Sequence, residues 1–244
     1  MGPERNVDSL TNVGAGQYRH EFKYIINYTQ LETLLFRLPS IMVKDPHTDS
    51  TGMYEVRSLY FDDFYNSCFY ENENGTDPRE KFRIRIYNAS ADRISLELKR
   101  KESGMTLKRS CPICSEQVTQ LITGSQLLYQ EQMHPLLRKL YTLQETKGMH
   151  PKVIVEYDRI PFVCKDGNVR VTLDMNIRAS TSLERFFDAH TMARPFMPVG
   201  YNLLEVKYDQ FLPDYIKRTV QMKGLRQTAF SKYYLCRRFG GLSI

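Results

Sequence analysis

The chain has 244 residues, 41% hydrophobic and 25% charged, and its 34 basic and 28 acidic side chains leave a formal net charge of +6. That composition points to a globular rather than a disordered chain, and no apolar run approaches the roughly 18 residues a membrane-spanning helix needs. The basic excess points to anionic partners without separating phosphates from nucleic acid or a membrane surface.

Residues 1–17 are polar and aperiodic, so they are expected as a flexible N-terminal tail with no signal peptide, ahead of a single domain over 18–244. Period-two alternation predicts a strand at 18–26. Thr29 with Glu32 forms a capping box before Leu31, Leu34, Leu35 and Leu38, and Pro39 stops that helix. Strands follow at 54–62, 80–88, 93–101 and 105–113. A helix runs over 115–122 to Gly124, and a second is expected over 125–147 with a kink at Pro135. Strands at 152–160, 168–175 and 202–209 alternate with helices over 183–189, 213–223 and 231–239. Many strands with few βαβ alternations predict an α+β fold, an antiparallel β-barrel with helices packed outside.

Four segments place charges two residues apart between apolar residues: Glu21 and Lys23, Arg83 and Arg85, Glu97 and Lys99, Glu205 and Lys207. Side chains alternate faces along a strand, so each pair shares one face. The polar faces carry Arg19, Lys23, Arg83, Arg85, Lys99, Lys108, Arg170 and Lys207 against Glu21, Glu97, Glu156, Asp174 and Glu205, with Arg159 and Lys232 adding to the basic side. So many cations gathered in one lumen repel one another unless a multivalent anion is present. Phosphate oxygens match bidentate Arg and mobile Lys donors, while the carboxylates supply hard ligands for Mg²⁺ or Mn²⁺. A metal-bound triphosphate is the expected ligand.

Other features carry less. Cys111 and Cys114 form a C-x-x-C without a second pair for zinc, and are read as reduced structural thiols. The histidines at 20, 47, 134, 150 and 190 show no ligand spacing. Lys81, Arg100, Lys101, Arg237 and Arg238 are read as exterior. Nucleic acid is not expected, because the aromatic and Arg side chains of FRIRIY fall on mismatched faces.

The stretches YRHEFKYII, LYFDD, FRIRIY, LELKRK, SGMTLKRS, YDRIPF, VRVTLD, LLEVKYDQFLP and FSKYY resemble, in order from Tyr18 to Phe239, the VTC domain. This is the polyphosphate polymerase module of the CYTH-like triphosphate tunnel metalloenzyme superfamily. The resemblance implies an eight-stranded tunnel that moves the γ-phosphate of ATP onto a polyphosphate chain. Carried over by position, Lys23, Arg83, Arg85, Lys99, Lys108, Arg159, Arg170, Lys207, Ser231 and Lys232 bind phosphate. Arg83, Arg85, Lys99 and Lys232 take catalytic roles, and Glu205 with Glu21 binds the metal. At Lys108 the correspondence is loose, since Lys101 and Arg109 stand nearby. Hydrolytic relatives resemble E-x-E-x-K on the first strand, whereas this chain has Arg19, His20, Glu21, Phe22 and Lys23; losing one carboxylate favours holding a long anion over activating water. A triphosphatase of the same fold and a non-catalytic polyphosphate sensor are the alternatives. The expected location is cytoplasmic, with room for a separate membrane protein as partner.

Overall fold

The computed structural model describes residues 17–125 and 127–239, and the expected tail over 1–16 lies outside them. In chain order it contains β1 (His20–Asn27), α1 (Tyr28–Arg37), β2 (Val43–Lys44), β3 (Tyr54–Asp62), α2 (Ser67–Glu73), β4 (Arg79–Tyr87), β5 (Ser90–Glu102), β6 (Met105–Pro112), α3 (Ser115–Ile122), α4 (Pro135–Lys147), β7 (His150–Cys164), β8 (Val169–Ser180), β9 (Arg194–Pro195), β10 (Tyr201–Tyr208), α5 (Asp214–Val220) and α6 (Lys232–Phe239). Eight strands form one antiparallel sheet in the order β1-β10-β8-β7-β3-β4-β5-β6, with the short β2 and β9 attached to β7 and β8. The expected antiparallel α+β architecture is borne out.

Local chemistry sets the register that the site needs. Asn88 and Ala89, and Ser103 and Gly104, all adopt positive φ, so two-residue turns join β4 to β5 and β5 to β6. That left-handed pair of residues matches the twist of a tight hairpin. It places Arg83 opposite Glu97, and Lys99 opposite Lys108. The sheet curls until its edge strands meet, where Arg19 and Thr106 exchange backbone hydrogen bonds of 2.9 and 3.0 Å. Farther along β1 the free edge is taken by the C-terminal segment: Thr228 N donates to Lys23 O at 2.9 Å, and Gln227 bridges Tyr24.

Apolar positions divide between the faces. Leu59, Ile84, Leu96 and Ile154 pack with Val118, Leu121, Leu136 and Leu140 of α3 and α4. Val171, Leu173, Leu204 and Val206 pack with Leu31, Leu34, Ile216 and Val220 of α1 and α5. On the other face, Val155, Tyr157 and Leu203 share a buried cluster with Phe230, Tyr233 and Cys236, which seats α6 against the sheet.

Several helix boundaries differ from expectation. The capping box of α1 is Asn27 with Gln30, whose reciprocal bonds are 2.9 and 3.0 Å, because β1 runs on to Asn27 and leaves Thr29 inside the first turn. Pro135 starts α4 rather than kinking it, since its missing N–H costs nothing at a first helical position, and His134 Nδ1 accepts from Leu136 N at 3.1 Å. Residues 127–134 are accordingly not helical. Over 183–189 only the single 3₁₀ turn Leu183–Arg185 forms, because the carbonyls of Phe186 and Asp188 accept from Arg57 Nη1 at 3.0 and 2.6 Å. Helix α2 lies where no helix was expected. Among the described residues, no helix is long and apolar enough to cross a membrane.

Candidate phosphate-binding site

A cavity of about 340 Å³ opens on the charged face of the sheet. Eight basic side chains line it, Arg19, Arg83, Arg85, Lys99, Lys108, Arg159, Arg170 and Lys207, with Glu21 and Asp209 as the acidic ones. Strands β1, β4, β5, β6, β7, β8 and β10 all contribute, so the cations arise from alternation on distant segments that the curl brings together. Lys23, Glu205 and Lys232 lie behind this lining, and Ser231 sits beside Lys81.

Three carboxylate centres hold the cations in place. In the first, Lys99 Nζ donates to both oxygens of Glu21 at 2.7 and 2.9 Å, reaching from β5 to β1. Lys23 Nζ stands 3.6 Å from Glu21 and 3.4 Å from Glu205, while Lys207 pairs with both as well. Burial and the facing Glu205 push the Glu21 carboxyl up, but Lys23, Lys99 and Lys207 outweigh them and hold it well below the usual range. Burial likewise opposes ionisation of Glu205, and Lys207 and Lys23 overcome it. For Lys99, burial drives the ammonium down to about 7 against the pull of Glu21.

Glu97 forms the second centre. It accepts from Arg83 Nε at 2.7 Å and Lys108 Nζ at 2.9 Å, and Arg85 stands 3.8 Å away. Buried to 2% exposure, it nevertheless stays ionised, because Arg83, Arg85 and Lys108 outweigh desolvation. Asp174 forms the third. Arg159 binds it with two bonds of 2.6 and 2.8 Å, and Lys232 Nζ donates at 2.7 Å. Beside it, the Tyr157 hydroxyl accepts from Arg85 Nη2 at 3.3 Å, with Lys232 Nζ 4.4 Å over its ring. Burial raises the Tyr157 pKa, but Arg159, Arg85 and Lys232 turn the net shift downward. Arg170 is held by Asp45 from the loop after β2, 2.8 Å away, and by Tyr54 of β3, whose OH accepts at 2.7 Å.

Several residues sit elsewhere than the sequence reading placed them. Glu156 faces the opposite side from Arg159, buried with Arg57 and Arg178, since the residue next to an inward one points outward. Lys81 and Lys101, expected outside, share the faces of Arg83 and Lys99 by the same alternation. Arg237 is buried and donates to Tyr233 OH at 2.9 Å and Asn66 at 3.1 Å. Arg100 is external, paired with Glu80 and Glu102. Glu97, Asp174, Tyr157 and Asp45 position these cations; the first two are expected as acids of the polar faces, whereas Tyr157 and Asp45 are not expected in the site. Asp45 lies in an aperiodic loop. All five cysteines are free; Cys111 is buried and Cys114 caps α3 exposed.

Among the described residues, no cluster of three or more His, Cys, Asp or Glu forms a protein-only metal cage. The donor chemistry still fits a divalent ion. Glu21 and Glu205 bracket the same two ammonium groups, and Mg²⁺ commonly takes one or two carboxylates with substrate phosphates and water completing its shell.

The VTC domain profile matches residues 18–239. No curated protein matches the sequence. Among solved structures, a putative adenylyl cyclase from Hippeastrum, described as having a dominant triphosphatase activity, is 14% identical with a TM-score of 0.50, covering 93% of this chain and 98% of that one. A putative adenylate cyclase from Bacillus halodurans is 12% identical with a TM-score of 0.49, covering 84% and 87%. At 14% identity the likeness to the Hippeastrum protein is one of fold alone.

Proposed function

Because the chain belongs to the VTC domain family, we propose that it is a polyphosphate polymerase-like phosphotransferase, moving the γ-phosphate of ATP onto a polyphosphate chain. The observation that carries this reading is the convergence of eight cations on one cavity of about 340 Å³. Phosphoryl transfer passes through a loose transition state whose charge spreads over equatorial oxygens. Fixed cations can therefore supply much of the acceleration by electrostatics and alignment, without a side-chain nucleophile. An oxygen of the acceptor's terminal phosphate bonds to the γ-phosphorus as the bond to the β,γ-bridging oxygen breaks, leaving ADP and a longer chain.

In this proposal Arg83, Arg85 and Lys99 grip the transferred group, each already oriented by Glu97, Tyr157 or Glu21. Lys108, Arg159, Arg170 and Lys207 hold neighbouring phosphates in line. Lys23, Ser231 and Lys232 support from behind. Glu21 and Glu205 would hold Mg²⁺ or Mn²⁺, which when bound neutralises charge on phosphate oxygens. Binding requires the lysines on these carboxylates to transfer their contacts to phosphate, an exchange that keeps charge balanced.

Hydrolysis of a triphosphate is the second reading, favoured by the facing Glu21 and Glu205, which could serve a metal and a water. Incubation with ATP and Mn²⁺, followed by separation of polymer, ADP and free phosphate, decides between them. Polymer with ADP is expected, lost in Glu205→Gln and Arg83→Ala. Free phosphate without polymer would establish the hydrolase, and tight polyphosphate binding without turnover the sensor.

A further inference from the structure

Beyond the cavity, the hairpins β4–β5–β6 carry a ladder of like charges. Arg79 stands opposite Lys101, and Lys81 stands opposite Lys99, which itself stands opposite Lys108. On β4 the same face reads Arg79, Lys81, Arg83, Arg85 without interruption. Like charges directly opposed across strands destabilise a sheet. Glu21 and Glu97 compensate Lys99 and Lys108. Lys81 has only neutral partners: its Nζ donates to Asn72 Oδ1 at 2.8 Å and to Ser231 Oγ at 3.2 Å. Arg79 donates to the Thr76 carbonyl at 2.7 Å.

Among the described residues, none of Arg79, Lys81 and Lys101 forms an ion pair, and none lines the main cavity. Burial, with Arg79 and Lys23 adding repulsion, pushes the Lys81 ammonium down to about 8. Lys101 is lowered by burial and the same two neighbours. All three remain partly exposed. Asp62, Glu21 and Asp77 act on these lysines only at longer range, so an anion lying along the ladder gives them the direct partner they lack.

We infer that Arg79, Lys81 and Lys101, with Ser231, form a second anion subsite that takes the phosphoryl units of a linear polyphosphate lying beyond those in the main cavity. The inference rests on the polyphosphate reading above and adds a length dependence to it. A triphosphate fills the main cavity alone, whereas a longer chain also engages the ladder.

The test is calorimetric binding of tripolyphosphate and of a much longer linear polyphosphate to wild type, Lys81→Gln and Lys101→Gln, in the absence of turnover. Wild type is expected to prefer the long chain. Each variant should cut the long-to-short affinity ratio about tenfold, the loss of one charge-assisted contact. An equal loss for both lengths, or an unchanged ratio, overturns the subsite while leaving the polyphosphate reading intact. Wild-type protein that binds neither length overturns both. Lys101→Gln answers the question independently should Lys81→Gln misfold, and a melting temperature at or above wild type certifies either variant as folded.

Discussion

Replacing Glu97 by Gln is the sharpest perturbation of the ligand-free site. The carboxylate is buried to 2% exposure and neutralises Arg83 and Lys108 at 2.7 and 2.9 Å, with Arg85 at 3.8 Å. Removing one partner from a buried ion pair costs about 3–5 kcal/mol, because the other charges stay desolvated. For a domain of this size each kcal/mol moves the melting temperature by about 2–4 °C. Glu97→Gln should therefore melt about 10 °C below wild type. The same freed cations become better phosphate donors. Tripolyphosphate at a hundredfold excess over its dissociation constant returns about 2.7 kcal/mol, so the variant should recover much of its loss and respond to the ligand more strongly than wild type. Thermal melts by circular dichroism, with and without tripolyphosphate, measure both effects. Wild-type melting in the ligand-free variant, or a ligand response larger in wild type, would refute the idea that Glu97 stands in for substrate charge.

Other outcomes follow from the same electrostatics. Asp174→Asn leaves Arg159 and Lys232 buried without a counter-charge; it should lower the urea midpoint by the equivalent of about 3–5 kcal/mol and loosen α6 to proteolysis. Lys81 faces Cys68, Asp62, Arg79 and Lys23, and its pKa falls from 10.5 unfolded to about 8 folded. The folded protein therefore loses this proton first, and the penalty, complete below pH 8, is relieved between about 8 and 10.5, so stability rises across that window. Denaturant titrations should show the stability of wild type rising relative to that of Lys81→Gln across the window, and an unchanged difference would refute the assignment. Alkylation near pH 8 should modify the exposed Cys114 first and spare Cys111, raised to about 11 by burial, and the buried Cys236, raised to about 12, until the protein unfolds.

Much of the sheet is legible because period-two alternation survives any tertiary context that buries one face. The FRIRIY and LELKRK segments show their inward cations directly, and the hairpin turns then fix which acid meets which base. Lys81 and Lys101 lie inside the expected strands, and the alternation that turns Arg83 and Lys99 inward turns these two inward as well, so an exterior place for them conflicts with the strand pattern itself. Helix boundaries were less legible where two cap chemistries compete. Asn27 and Thr29 are both good caps, and only the length of β1 decides between them. The 183–189 segment looked helical by pattern, yet a buried arginine from β3 captures its carbonyls, a contact between residues far apart in sequence. Asp45 and the insertion of 227–230 against β1 have the same character, since nothing periodic announces a loop that completes a site by long-range contact.

The central claim is that the converging cations hold a linear triphosphate. Calorimetric titration with tripolyphosphate, compared between wild type and an Arg83→Ala, Arg85→Ala double variant, tests it most directly. Saturable one-to-one binding in wild type that disappears in the double variant is the predicted result. No binding to wild type, or equal binding to both proteins, would contradict the account.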